Sequence, residues 1–266
     1  MASIATPEEL LVAGRPADAL QSLQQRVRDR PEDAKLRTFL FQLLCVLGQW
    51  ERAQSQLELC GQLDDATLAM VNTYREALKC ELVREAVFAG KTTPMIFGQP
   101  QTWVASLVEA LQADARGETE LGAKLRADAL AAAPTTAGTI DGTAFEWIAD
   151  ADSRLGPVLE AIVNGRYVWV PFASLTKVDL EAPSDLRDLI WAPARLTFAN
   201  GGEQVAFLPA RYPGSDAAED DEIRLCRKTE WRDLGADTHV GTGQRMFATD
   251  VGETALLEAR TIELKR

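Results

Sequence analysis

Ala133-Pro134-Thr135-Thr136-Ala137-Gly138 separates two unlike textures in the chain. Proline and glycine are the strongest local breakers, and a short polar cluster between two patterned regions reads as a connection. Upstream, apolar residues recur at helical spacing; downstream, short β-rich runs are separated by turn dipeptides. The expected architecture is therefore α+β in two parts, a helical domain over residues 1–134 and a mostly antiparallel β domain over residues 138–266. The strand spacing of the second part also suits a small barrel.

Working back from the boundary, Thr6-Pro7-Glu8-Glu9 has the form of a capping box, with Thr6 as N-cap and proline at the first helical position. Leu20, Leu23 and Val27 share a helix face, as do Leu40, Leu43, Leu44 and Leu47. Further stripes run through Val71, Tyr74, Leu78, Leu82 and Ala86, and through Trp103, Leu107, Val108 and Leu111. A weak repeat overlies them: Gly14 to Gly48 spans 34 residues and Gly48 to Gly117 spans 69, with Ala19, Ala53 and Ala129 at close-packing offsets and Pro31 and Pro134 as stops. This is the spacing of tetratricopeptide-like helix pairs; a plain irregular bundle is the alternative. Either arrangement can offer a concave face to a partner helix.

Working forward, Val158–Val163 and Tyr167–Pro171 flank Asn164-Gly165, the strongest short-range hairpin signal. Leu196–Ala199 and Gln204–Leu208 flank Asn200-Gly201-Gly202, and Met246–Thr249 and Ala255–Ile262 flank Asp250-Val251-Gly252-Glu253. One helical turn is expected over Asp185–Leu189.

With 46% hydrophobic and 26% charged residues, the 266-residue chain has the composition of a globular protein with a real core. Lys plus Arg is 28 against 40 Asp plus Glu, for a net charge of -12. Such acidity disfavours nucleic acid and anionic membranes as partners. Residues 1–134 carry 14 basic and 18 acidic side chains, and the remainder 14 and 22. Part of that excess is Asp216, Glu219, Asp220, Asp221 and Glu222, expected as a solvated, mobile loop. The N-terminal MASIATPEEL has neither a basic nor an apolar leader segment. The apolar run Phe39–Leu47 is too short to cross a membrane. Cys45, Cys60, Cys80 and Cys226 form no C-x-x-C motif, so the expectation is a cytoplasmic chain with reduced thiols and no zinc knuckle.

No catalytic or cofactor-binding constellation emerges. A single histidine, His239, excludes paired imidazole chemistry and is expected in a surface loop. Gly90-Lys91-Thr92 resembles the end of a phosphate-binding loop, but Glu85 stands where the first glycine belongs; a helix C-cap is the simpler reading. Asp150, Asp152 and Arg154 alternate within Asp-Ala-Asp-Ser-Arg. Leu155 and Ala161 occupy the glycine and glutamate positions of a calcium loop, so these residues are expected as turn caps or partner contacts. Arg211-Tyr212-Pro213-Gly214, Arg227 to Trp231 and Gly243-Gln244-Arg245 set arginine beside aromatics or glycine. They read either as an internal network or as an interface. The candidate partner-binding residues are Asp150, Asp152, Arg154, Arg211, Tyr212, Arg227, Trp231, Gln244 and Arg245. A hydrolase or carbohydrate-active site built on Glu146, Asp150 or Asp152 is the rival reading.

The order of blocks along the chain resembles one family. Leu40-Phe41-Gln42-Leu43-Leu44-Cys45, Gly48-Gln49-Trp50-Glu51-Arg52-Ala53, the run Phe145 to Pro157, Asn164-Gly165-Arg166-Tyr167 and Trp169-Val170-Pro171-Phe172 are similar to the ImpE/TagJ (SciE-type) proteins of type VI secretion. Leu186-Arg187-Asp188, Arg211-Tyr212-Pro213-Gly214, Thr229-Glu230-Trp231 and Gly243-Gln244-Arg245 continue the likeness. The resemblance implies a non-enzymatic accessory protein without cofactors. It implies binding to a helix near the N-terminus of the small, TssB-type contractile-sheath subunit. It also implies an indirect link to the ClpV-type disassembly ATPase. It assigns no partner-binding residue.

Overall fold

The computed structural model describes residues 5–98 and 101–265. The leader reading rests partly on residues 1–4, which lie outside the described residues. The helices are α1 (Pro7–Val12), α2 (Pro16–Asp29), α3 (Ala34–Val46), α4 (Trp50–Leu63), α5 (Leu68–Phe88), α6 (Thr102–Ala115) and α7 (Thr119–Ala132). The expected capping box opens α1: Glu9 N–H donates to Thr6 Oγ1 at 3.1 Å and Thr6 N–H to Glu9 Oε2 at 2.7 Å. Gly14, Gly48 and Gly117 sit at φ of 72°, 65° and 78°, just beyond α1, α3 and α6. This left-handed turn, which glycine adopts without a Cβ penalty, folds each helix back on the next. Ala19, Ala53 and Ala129 are buried in the returning helices. The midpoint of the longer glycine interval, Leu82, lies inside the 21-residue α5, so the helical hairpins do not form an unbroken series.

The strands are β1 (Met95–Ile96), β2 (Gly138–Ile140), β3 (Thr143–Phe145), β4 (Ile148–Asp150), β5 (Val158–Val163), β6 (Arg166–Pro171), β7 (Leu175–Leu180), β8 (Trp191–Phe198), β9 (Glu203–Pro209), β10 (Thr229–Asp233), β11 (His239–Gly243), β12 (Met246–Thr249), β13 (Gly252–Ala255) and β14 (Thr261–Leu264), with a short α8 (Asp221–Arg224) before β10. Nine strands form one sheet in the order β1-β6-β5-β9-β8-β7-β14-β2-β3. β1 and β3 are its two edges, so among the described residues the sheet is open and closes no barrel, unlike the small barrel the strand spacing also suited. Every pairing is antiparallel except β1 with β6. That edge strand comes from the helical region; two residues are too few for periodicity to reveal. The other sheet, β13-β12-β4, and the β10-β11 hairpin complete the β region.

Asn164 and Gly165, at φ of 50° and 70°, make the expected tight turn between β5 and β6. The third hairpin differs from expectation. β12 returns at once through β13, and Ala255–Ile262 is not one strand. A turn follows β13, and Thr261–Leu264 enters the large sheet between β7 and β2. The acidic segment also differs from the expected mobile loop, folding into a 3-10 turn (Ser215–Ala217) and α8. Ser215, Ile223 and Leu225 are buried anchors, while Asp220 pairs with Lys228 at 3.0 Å and Glu222 with Arg227 at 3.3 Å. A 3-10 turn at Leu186–Leu189 agrees with the expected single turn.

Strand alternation splits the core into two layers. Val158, Ile162, Tyr167 and Trp169 face the helices and join Leu23, Leu44, Leu57, Val71 and Tyr74 in one cluster. Leu159, Ala161, Val163, Val168 and Val170 face the other way and join Phe247, Leu256 and Ile262 in a second cluster. Glu160 shares the helix-facing side of β5, which aims a carboxylate into the interior between helices and sheet.

Candidate functional site

Glu160 is completely buried and receives two guanidinium groups. Arg84 of α5 donates from Nε to Oε1 at 2.8 Å and from Nη2 to Oε2 at 3.1 Å. Arg245, in the turn before β12, donates to Oε2. Tyr167 donates its hydroxyl to Glu160 and accepts from Trp169 Nε1 at 2.8 Å. Arg245 also donates to Asp150 and, from Nε, to the Pro209 carbonyl at 2.8 Å. The other Asp150 oxygen accepts from Tyr212 at 3.1 Å and from the Asp152 N–H at 2.8 Å. Asp152 accepts two bonds from the Arg154 guanidinium, at 2.9 and 2.6 Å, plus the Gly241 N–H at 3.0 Å. Glu81 of α5 accepts from Trp191 Nε1 at 2.8 Å and lies 3.5 Å from Arg84. Arg211 spends its charge on backbone: Nη2 donates to the Cys45 carbonyl at 3.0 Å and Nη1 to those of Val46 and Arg224 at 2.7 and 3.0 Å.

Four arginines (Arg84, Arg154, Arg211, Arg245) thus stand with four acids (Glu81, Asp150, Asp152, Glu160). A buried charge is tolerable only when paired and hydrogen-bonded. Burial alone would raise the Glu160 pKa, but Arg84 and Arg245 overcome it and pull the group down to about 2. Asp150 shares one guanidinium with Glu160. Burial pushes it up to about 6, the Asp152 and Glu160 carboxylates add to the rise, and Arg245 opposes it. Burial pushes the Tyr212 and Tyr167 phenols well above their usual range, so both act as neutral hydroxyls.

The network gathers most of the residues singled out in the sequence. Asp150, Asp152, Arg211, Tyr212 and Arg245 are buried within it. Arg154 is half-buried, with its guanidinium 4.9 Å from the Phe88 ring centroid. Gln244 is half-buried and donates to the Cys226 carbonyl at 3.0 Å. Arg227 and Trp231 are exposed. Arg227 ties α8 to α1, donating to the Leu11 carbonyl at 2.8 Å. Trp231 lies on Tyr212 with ring centroids 5.5 Å apart. Of the rival catalytic carboxylates, Glu146 is exposed, and both oxygens of Asp150 and of Asp152 are engaged by protein donors. His239 is exposed, as expected, but begins β11 rather than lying in a loop. Gly90 closes α5, as its simpler reading holds, with its N–H on the Val87 carbonyl at 2.9 Å.

Sequence reasoning missed Glu81, Arg84 and Glu160. The expected α5 stripe passes through Leu82, which is 58% exposed. The buried face runs instead through Val71, Tyr74, Leu78, Glu81 and Arg84. The signal was a charged pair three residues apart, in phase with the apolar stripe. Glu160 carried a similar one, a lone acid inside the apolar run Val158–Val163.

Among the described residues, two of the surface grooves bear on binding. One, of about 520 Å³, is lined by Leu11, Phe39, Leu186 and Leu189, with Glu8 and Asp185 beside them. The other, of about 600 Å³, lies between the α6–α7 hairpin and the β10–β11 hairpin. Among the described residues no helix is long and apolar enough to cross a membrane, and no three potential metal ligands gather.

The sequence profile described as ImpE protein matches residues 142–263. The chain is 55% identical over 258 residues to the type VI secretion system accessory component TagJ of Pseudomonas aeruginosa, covering 97% of this chain and 90% of that protein. A crystal structure of protein VPA1032 from Vibrio parahaemolyticus has the same fold, with a TM-score of 0.89, 23% identity, and coverage of 98% of this chain and 97% of that one.

Proposed function

Because the chain belongs to the ImpE/TagJ family of type VI secretion accessory proteins, we propose that it is a cytoplasmic, non-enzymatic adaptor that binds the N-terminal helix of the small, TssB-type sheath subunit. Through that helix it would act indirectly on the ClpV-type disassembly step. The observation that carries this reading is the 55% identity to the accessory component TagJ over nearly the whole of both chains. The engagement of the Asp150 and Asp152 oxygens by protein donors favours it over a carboxylate hydrolase.

The helix docks in the groove of Leu11, Phe39, Leu186 and Leu189. An amphipathic helix buries its apolar face there, and its basic residues meet the exposed Glu8 at the rim. Arg227 holds the α1 side of the groove through the Leu11 carbonyl, and Trp231 offers an exposed aromatic elsewhere on the β region. Co-purification of the small sheath subunit by the tagged protein tests the reading. Capture is expected from cells carrying the sheath genes, and its loss on replacing Phe39 and Leu186 by serine. Equal capture by the double variant rejects this groove, and no capture by the unaltered protein rejects the partner.

A further inference from the structure

We infer that the groove between the α6–α7 and β10–β11 hairpins is a second binding site, which takes an acidic peptide segment by its side-chain carboxylate. It is separate from the groove proposed for the sheath helix and does not rest on that assignment. Its walls follow from strand alternation. Arg232 and Val240 are register partners and both line the groove. The next pair, Trp231 and Gly241, faces the opposite side, against Tyr212. Phe88, Leu111 and the exposed Leu234 supply apolar lining.

The polar lining points to a carboxylate. Arg126 is 4% exposed and lines the groove. Its Nη2 donates to Asp114 and its Nη1 to Thr238 Oγ1 at 3.1 Å, but its Nε–H has no acceptor. An unmet buried donor on a charged group costs free energy that an anionic acceptor recovers. Arg232 is exposed and pairs with no carboxylate among the described residues. Arg154, held by Asp152, adds a third guanidinium against the acids Asp114 and Glu120. Arg126 and Arg154 are each matched by an acid, Asp114 and Asp152, so the donors the groove leaves to a ligand are the Arg232 guanidinium and the Arg126 Nε–H. Charge complementarity selects an anion. The apolar residues beside the guanidiniums select one carried between apolar neighbours, as in a peptide, over a free carboxylate.

The probes are capped ALELA and ALQLA pentapeptides and acetate, titrated into the full chain while the Arg126 Nε–Hε resonance is followed by NMR. ALELA is expected to move that resonance saturably. ALQLA should bind about tenfold more weakly, the value of one charge-assisted hydrogen bond. Arg232→Ala and Leu234→Ser, both on exposed residues, should each weaken ALELA while leaving the thermal transition in place. Acetate binding as tightly as ALELA overturns the peptide assignment. No saturable movement with ALELA, equal affinity for both pentapeptides, or unchanged affinity in Arg232→Ala overturns the site.

Discussion

Glu160 and Asp150 are both buried carboxylates on one arginine, yet they answer pH in opposite senses. Glu160 has two guanidiniums and sits below its ordinary value. Its contribution to stability is complete above about pH 4.5 and is lost as the pH falls toward 2. Asp150 sits above its ordinary 3.8, at about 6. Its proton favours the fold, so its contribution is greatest below that ordinary value and declines as the pH rises through 6. Urea unfolding of the protein and of Asp150→Asn should therefore differ with pH. The unaltered protein loses ground to the variant between about pH 4 and pH 6; a constant difference across that window would contradict this pairing. Arg245→Met leaves both acids without their shared cation, and a loss of about 3–5 kcal/mol is expected in the same experiment. A loss below about 1 kcal/mol would mean that the acids find other partners. The sequence made Asp150 and Arg245 visible because each stands in a short, oddly composed motif. Their pairing, 95 residues apart, had no local signal.

Arg211 shows how the β region finishes a helix. The last carbonyls of a helix lack intrahelical donors, and a cation at that end also meets the negative pole of the helix. Arg211 supplies both to α3 through the Cys45 and Val46 carbonyls. Arg211→Met should lower stability by about 3 kcal/mol in urea unfolding, and Arg211→Lys should restore only part, since lysine lacks the planar fork. Full rescue by lysine would argue for charge alone. Glycines at element junctions carry a related test. At Gly117 (φ 78°) a Cβ meets nothing within 4 Å, whereas at Gly243 (φ 93°) it would overlap the Lys228 carbonyl oxygen. Gly117→Ala is expected to cost about 1 kcal/mol for its backbone alone, and Gly243→Ala clearly more; equal costs would contradict the close approach. The hairpin at Asn164-Gly165 was legible because its turn is local. β14 was not legible. Its place between β7 and β2 depends on residues far along the chain, and the turn at Leu256–Glu258 carries no glycine or proline.

Over the whole molecule, the change from helices to strands between α7 and β2 was legible in the sequence because period 3.6 gives way to turn-separated β-rich runs there. What crosses it was not plain: β1, the Arg84–Glu160 pair and a single apolar cluster spanning helices and sheet. Cutting at this boundary should leave residues 1–134 with Trp50, Tyr74 and Phe88 stripped of their aromatic partners Trp191, Phe207 and Trp169. The isolated fragment is expected to bind a hydrophobic dye and to lack a cooperative thermal transition, which calorimetry can check. A sharp transition would mean that the helices fold alone. The acidity also resolves at this scale. The buried network balances four arginines against four acids, so the net charge of -12 is expressed outside it and can steer a basic partner. Added salt should then slow association more than it speeds release. The central claim, helix docking by an adaptor, is met most directly by calorimetric titration of the protein with a synthetic N-terminal helix of the small sheath subunit. The expected result is saturable binding of one helix per chain, weakened by the Phe39 and Leu186 serine replacements. Absence of heat, with no chemical-shift change on adding the same peptide, would contradict it.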